Sequence, residues 1–373
     1  MSYIIIILCI IIQIIINNEI TKITLNAQSG TPYIIIKIGK NSNINMIFDT
    51  SLHRSLLVSP NCEICTKEGY NVNNSIKIAD NQTELKYHYL FSGDEYQDEA
   101  QITLNDKFKI NFISFTNVSY ASQVGTYGFF GFSFTNYNLN TSKKMFALYY
   151  LNNDIILHIG NYDKEITTNN SYFKNYTISY NENKTQWFLL ADSIKINDKF
   201  NYVKEKQKLI LDSSTNNLYI PSKFFFSHMD IIFPEDSNCQ ILTSGMFYCE
   251  CDENYKTKFG NFQFNISGEI LFINATDYII FERSIKGNKC YVYILVNYDS
   301  DYWFTGNNVL NNYYSIFDVD NNTLILYDMK INFETNTKFI LLFFIVFFIS
   351  IVSFFGGYLL YKKYYIDVEE ERV

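Results

Sequence analysis

Between two strongly apolar ends, the chain runs in short alternating or β-branched stretches broken by Asn, Asp and Gly. Tyr33-Ile-Ile-Ile-Lys-Ile-Gly39 is a β-branched run closed by glycine. Gln101-Ile-Thr-Leu and Phe108-Lys-Ile-Asn-Phe-Ile alternate, and Glu269-Ile-Leu-Phe-Ile, Cys290-Tyr-Val-Tyr-Ile-Leu-Val and Thr323-Leu-Ile-Leu-Tyr read as further strands. Long stretches at helical period are rare before the C-terminal end. Short strands separated by turn residues predict an all-β fold. The polar stretch Thr167, Thr168, Asn169, Asn170 and the Asn/Lys-rich stretch near 181–184 predict a boundary between two lobes, 21–180 and 181–337.

The ends predict a membrane topology. Ile4 to Ile16 is apolar except for Gln13, too short for a comfortable span and placed where a signal peptide belongs, so residues 1–20 are expected to be removed. Phe339 to Tyr361 carries no charge and is long enough to span, giving a predicted transmembrane helix over 338–361. Lys362 and Lys363 follow at once, which places the tail 362–373 in the cytoplasm. The expectation is a single-pass type I protein of the secretory or endolysosomal pathway or the cell surface. Its lobes would be lumenal or extracellular. Tyr365-Ile-Asp-Val368 fits a Tyr-x-x-apolar sorting pattern.

Cysteine usage agrees with a translocated chain. Cys9 lies in the signal segment, and six remain: Cys62, Cys65, Cys239, Cys249, Cys251 and Cys290. An even number in an oxidising compartment favours disulfides. A Cys62–Cys65 pair would staple a short loop, and the other four are expected to pair among themselves in an order the spacing leaves open. A zinc site is the competing reading of Cys62-x-x-Cys65, but no second pair has suitable spacing, so no metal and no cofactor are expected. Sequons occur at Asn73, Asn81, Asn117, Asn140, Asn169, Asn175, Asn183, Asn265, Asn274 and Asn321, all in the predicted ectodomain.

Composition narrows the class. The 373 residues are 47% hydrophobic, 18% aromatic and 18% charged, a folded, strand-leaning chain with room for two cores. The net charge of -8 and the lack of a basic patch interleaved with aromatics exclude nucleic-acid binding as a leading function.

The candidate chemistry is a motif that occurs twice. Ile47-Phe48-Asp49-Thr50-Ser51 runs on to Leu56-Leu57-Val58, and Ile210-Leu211-Asp212-Ser213-Ser214 runs on to Leu218-Tyr219-Ile220. Each is followed by an apolar element with glycine: Tyr127-Gly-Phe-Phe-Gly131 and Trp303-Phe-Thr-Gly306. A chain built as two such halves can bring two carboxylates together, and two carboxylates sharing one proton can activate a water.

With Met46–Ser51, Leu57–Cys62, Tyr127–Phe132, Leu209–Thr215, Leu218–Pro221, Gly245–Cys251, Trp303–Asn307 and Leu310–Asp318 in this order, the chain from about Tyr33 to Tyr327 resembles the pepsin-like eukaryotic aspartic proteases. The resemblance implies a bilobal acid-protease fold with a cleft between lobes. It implies that Asp49 and Asp212 form a catalytic dyad supported by Thr50, Ser51, Ser213, Ser214 and Thr215, acting on peptide or protein substrates at acidic pH. A monomer is expected. The flap tyrosine of the family would be Tyr87 or Tyr89, ahead of Gly93. Several positions depart from the family's pattern. Ser51 and Ser214 stand where glycine is usual, and either crowd the water or donate an extra hydrogen bond. Leu52 replaces a supporting hydroxyl, Leu56 a tryptophan, and Asn307 an aspartate. The stretch between the signal and the first core strand is too short for a usual inhibitory propeptide. Two functions are therefore carried forward: a membrane-anchored aspartic-type endopeptidase, and an inactive protease-like protein that binds peptides or acts at a surface.

Overall fold

In the computed structural model, residues 21–329 are described except for 29–30, 40–41, 87–88, 103–106, 120–124, 135–140, 142, 152–153, 169–172, 198–200, 204–205 and 284–286; four positions between Ile351 and Tyr358 are also described. The signal segment, the tail, Tyr87 and nearly all of the expected span lie outside the described residues. Ile351, Ser353, Gly356 and Tyr358 are helical and exposed. Among the described residues no helix is long and apolar enough to cross a membrane.

The fold is mostly β, as the short alternating runs predict. The N-terminal half contributes β1 (Thr21–Gln28), β2 (Thr31–Ile38), β3 (Ser42–Asp49), β4 (Ser55–Val58), β5 (Ile76–Lys86), β6 (Tyr89–Gln101), β7 (Lys107–Val118), β8 (Gly128–Gly131), β9 (Met145–Leu151) and β10 (Asp154–Ile159). β11 (Phe173–Thr177), β12 (Ser179–Tyr180), β13 (Trp187–Ala191), β14 (Ser193–Ile196), β15 (Asn201–Val203), β16 (Gln207–Leu211) and β17 (Leu218–Pro221) follow. The chain continues with a helix over Ser222–Ile232, then β18 (Gln240–Ile241), β19 (Phe247–Glu250), β20 (Phe262–Ile266), β21 (Glu269–Ile273), β22 (Ile279–Glu282) and β23 (Lys289–Val292). β24 (Ile294–Asn297), β25 (Tyr302–Thr305), β26 (Tyr313–Asp318) and β27 (Thr323–Asp328) complete it.

Strand periodicity shows even inside apolar runs. In β2, Ile34, Ile36 and Ile38 are buried while Ile35 is 52% exposed, because successive side chains leave opposite faces of the sheet. β26 has all six residues buried, since it lies between β9 and β27 with both faces covered. That placement joins the halves: β27 and β26, from the end of the chain, extend the sheet of β9, β10 and β1, with β11 at its edge. The predicted boundary stretches near 167–170 and 181–184 flank β11. β1, which the sequence pattern did not single out, pairs with both β10 and β2.

One expectation is corrected. Cys290–Val296, read as one strand, is two strands in different sheets, β23 beside β19 and β24 beside β17. The break falls at Tyr293, whose N–H donates to the Tyr278 carbonyl and whose own carbonyl accepts from Leu218. These outside partners pull Tyr293 out of the ladder.

Aromatic packing continues from half to half. Phe48 contacts Phe132, Phe132 contacts Phe146, and Phe146 stacks on Phe317 of β26 at 4.4 Å. In the C-terminal half Trp303 is enclosed by Phe224, Phe262 and Phe264. The disulfides are Cys62–Cys65, Cys239–Cys249 and Cys251–Cys290, so Cys62 and Cys65 pair with each other and the remaining four pair among themselves.

Candidate active site

Asp49 is the last residue of β3, and Asp212 follows the last residue of β16. Both strands run parallel to the apolar-glycine element of their own half, β3 beside β8 and β16 beside β25. The turns after the aspartates press against these elements. A Cβ on Gly131 would lie 2.6 Å from the Arg54 carbonyl oxygen, and one on Gly306 only 1.8 Å from that of Thr215. Only glycine allows so close a backbone approach, which explains why both halves carry an apolar run with glycine downstream of the Asp-turn.

Thr50 and Ser213 tie the two turns together. Thr50 Oγ1 donates to the Leu211 carbonyl at 2.7 Å, and Ser213 Oγ donates to the Phe48 carbonyl at 2.7 Å. Each hydroxyl also accepts the other residue's backbone N–H, at 3.1 and 3.2 Å. These four bonds lie in the buried interior, where an unmade polar contact is costly. They hold Asp49 and Asp212, both 0% exposed, at one place.

Each aspartate uses its two oxygens differently. Asp49 Oδ1 accepts from the Ser51 N–H (2.8 Å), the Ser51 hydroxyl (2.8 Å) and the Leu52 N–H (3.0 Å). Asp212 Oδ1 accepts from the Ser214 N–H (2.8 Å) and hydroxyl (2.7 Å). Both serines therefore donate to the carboxylate rather than crowd it. Ser51 supplies the hydroxyl that Leu52 lacks. At the second turn the hydroxyl on Asp212 is that of Ser214, while Thr215 Oγ1 accepts the Asn217 amide at 3.0 Å. Asn307, 3% exposed, donates its amide to the Ser213 carbonyl at 2.6 Å and accepts from the Tyr150 hydroxyl. An aspartate in its place could accept but not donate.

The inner oxygens converge on a cation. Lys86 Nζ bonds Asp49 Oδ2 and lies 3.1 Å from Asp212 Oδ2 and 3.2 Å from Ser51 Oγ. Lys86 is 3% exposed, and its ammonium also sits 5.5 Å from the centre of the Phe129 ring. It comes from the end of β5, which pairs with β6 as a hairpin whose last described pair is Lys86 with Tyr89. Gln82, Glu84 and Lys86 alternate onto one face of β5. That face turns toward the first Asp-turn, where Gln82 Oε1 accepts from Arg54.

The charges follow from this burial. Desolvation raises the Asp49 carboxyl above the ordinary carboxylate range, and the Asp212 charge raises it further, against the pull of Lys86 and Ser51. Burial disfavours the Lys86 ammonium, but the two carboxylates outweigh it and hold Lys86 above its ordinary value. Burial also lifts the Tyr150 hydroxyl, helped by Asp212. Glu84 is pushed up to about 7, first by burial, with Arg54 opposing. A cavity of about 360 Å³ lies against the end of the first Asp-turn, bordered by His53 and Arg54, by Glu84, Leu85 and Leu90 of the hairpin, and by Gln186 and Tyr302.

The structure thus brings Asp49, Thr50, Ser51, Asp212, Ser213, Ser214 and Thr215 together. Of the two flap tyrosines expected, Tyr87 lies outside the described residues. Tyr89 starts β6 opposite Lys86 and packs against the core. Among the described hairpin residues, Lys86 reaches both carboxylates, and sequence reasoning missed it. The period-2 sequence Gln82, Glu84, Lys86 carried a signal for it. Trp187 was missed too; its indole N–H donates to the Thr50 carbonyl at 2.7 Å.

No curated protein matches the chain. The family model for eukaryotic aspartyl protease matches residues 32–328, a span that contains both Asp-turns, the hairpin and the shared sheet, and the chain belongs to that family.

Proposed function

We propose that the protein is an aspartic-type endopeptidase in which Asp49 and Asp212 activate a water against a peptide bond at acidic pH. One observation supports this above others: the inner oxygens of both carboxylates reach a single point, the one now taken by Lys86 Nζ. A water at that point would accept and donate between the two aspartates. One carboxylate, ionised, would take its proton; the other, protonated, would donate to the scissile carbonyl and stabilise the oxyanion. The raised Asp49 carboxyl favours a shared proton, and hence an acidic working range. In this reading 338–361 anchors the enzyme, with its lobes on the lumenal or extracellular side. The sequons lie on that side as well.

The inactive, peptide-binding alternative is favoured by the same lysine, because a site filled by an ammonium has no room for the water. Cleavage of a mixed peptide library by the full-length protein, from about pH 3 to about pH 7 with and without pepstatin, tests the choice. Pepstatin-sensitive cleavage with an acidic optimum supports the protease; none from folded protein supports the binder.

A further inference from the structure

We propose that Lys86 is a built-in plug: the β5–β6 hairpin closes the site by placing its ammonium between Asp49 and Asp212, and a peptide enters only when the hairpin lifts. The inference rests on the protease reading only for what happens after opening; the plug itself concerns access to the carboxylates.

The site is built for an ammonium. That group has three N–H donors, and among the described residues Asp49 Oδ2, Asp212 Oδ2 and Ser51 Oγ face it as acceptors. Ser51 accepts from Lys86 while donating to Asp49 Oδ1, so it relays between cation and carboxylate. The first turn's serine and the hairpin's lysine are therefore two parts of one arrangement. A glycine in place of Ser51 would leave the third donor without this acceptor.

The hairpin is built to move. Among the described residues, β5 is the edge strand of its sheet and pairs with β6 alone. Lys86 is the single buried residue of its eleven. The pairing with β6 slips between Lys77 and Ala79 and again between Ala79 and Gln82. β6 in turn slips against β7 between Ser92 and Gly93. Such bulges localise bending and mark a hinge partway along the hairpin. Leu85 and Leu90, beside the tip, are 44% and 40% exposed. The tip is held by Lys86 on the dyad and Gln82 on Arg54, with Tyr89 packed against the core beside them.

The test compares full-length wild type with Lys86→Met for binding of pepstatin, whose hydroxyl must sit between the carboxylates. The assay is run at about pH 4.5, where a shared proton relieves the repulsion left by removing the cation. Because only the open fraction of the protein binds, the apparent dissociation constant rises by the reciprocal of that fraction; with about 1% of wild type open, Lys86→Met is expected to bind roughly a hundredfold tighter than wild type. Equal affinity, or no binding by a folded Lys86→Met, overturns the plug. A second measurement needs no variant: amine acylation of folded wild type followed by peptide mass spectrometry. Lys86 should react far more slowly than the exposed Lys107, and pepstatin at saturation should bring its rate up; comparable rates for Lys86 and Lys107 in the free protein overturn the proposal. The two readings fail separately. Tight binding by Lys86→Met without cleavage leaves the plug and removes the protease. Cleavage by wild type at the rate of Lys86→Met, with equal pepstatin affinity, removes the plug and leaves the protease.

Discussion

The Asp49 turn and the Asp212 turn share a backbone device and differ in what surrounds it. In both, the residue after Asp crosses to the other half, and the serine after that donates its N–H and hydroxyl to Oδ1. The first turn is sealed: Ser51 is 3% exposed, Leu52 adds a further N–H, and Ser51 Oγ also holds the Lys86 ammonium. The second turn is braced from below, where Asn307 links the Ser213 carbonyl to Tyr150, and its Ser214 is partly exposed. Duplicated chemistry has thus been specialised, the first turn for holding a cation and the second for support. The cation and its polar partners come from three parts of the chain: Lys86 from β5, Asp49 and Ser51 from β3 and its turn, and Asp212 from the residue after β16.

Removing both carboxylates is the most severe way to break the comparison. Asp49→Ala with Asp212→Ala leaves the buried ammonium without its counter-charges, and a loss of about 3–5 kcal/mol in denaturant unfolding near neutral pH is expected. Asn in place of either Asp is milder for folding. On the protease reading each such single variant reduces peptide cleavage by roughly 10²–10⁴-fold, and unchanged turnover in either would remove that aspartate from the dyad.

The serines sharpen the comparison. Ser51→Gly deletes a donor to Asp49 and an acceptor of Lys86, whereas Ser214→Gly deletes a donor to Asp212. Unfolding should show about 2–3 kcal/mol lost in the first and about 1 kcal/mol in the second; equal losses would mean the first turn is not specialised for the cation. Asn307→Asp keeps an acceptor but takes the donor from the buried Ser213 carbonyl, with an expected loss of about 1–2 kcal/mol. The smallest effect is a pH slope from Glu84. Its folded value of about 7 lies above the ordinary 4.5, so its contribution to stability is fully present below 4.5 and is lost as pH rises through about 7. Glu84→Gln should flatten the stability profile over that window, as urea unfolding at stepped pH would show.

Much of this was legible along the chain. Alternation and turn residues announced a β fold because strand burial has period 2, and the paired Asp-turns stood out because each carries its chemistry within a few consecutive residues. Local signals also told that Cys62 and Cys65 belong together, three residues apart. The split at Tyr293 was not legible, since it depends on Tyr278 and Leu218, distant in sequence. Nor was the flap register: a run of Lys86, Tyr87, His88 and Tyr89 offers several side chains, and only the pairing of β5 with β6 decides which one faces inward.

The sequence by itself determined that this chain is a β protein carrying two aspartates in matching turns, because those features are written in local pattern and spacing. Only the tertiary structure decided that the serines donate to the carboxylates, that Asn307 braces the second turn, and that Lys86 stands between the aspartates. Each of those outcomes depends on a partner supplied by another segment. Burial then gives the contacts their weight, because a cation sealed from water needs counter-charges that no single stretch of this chain supplies.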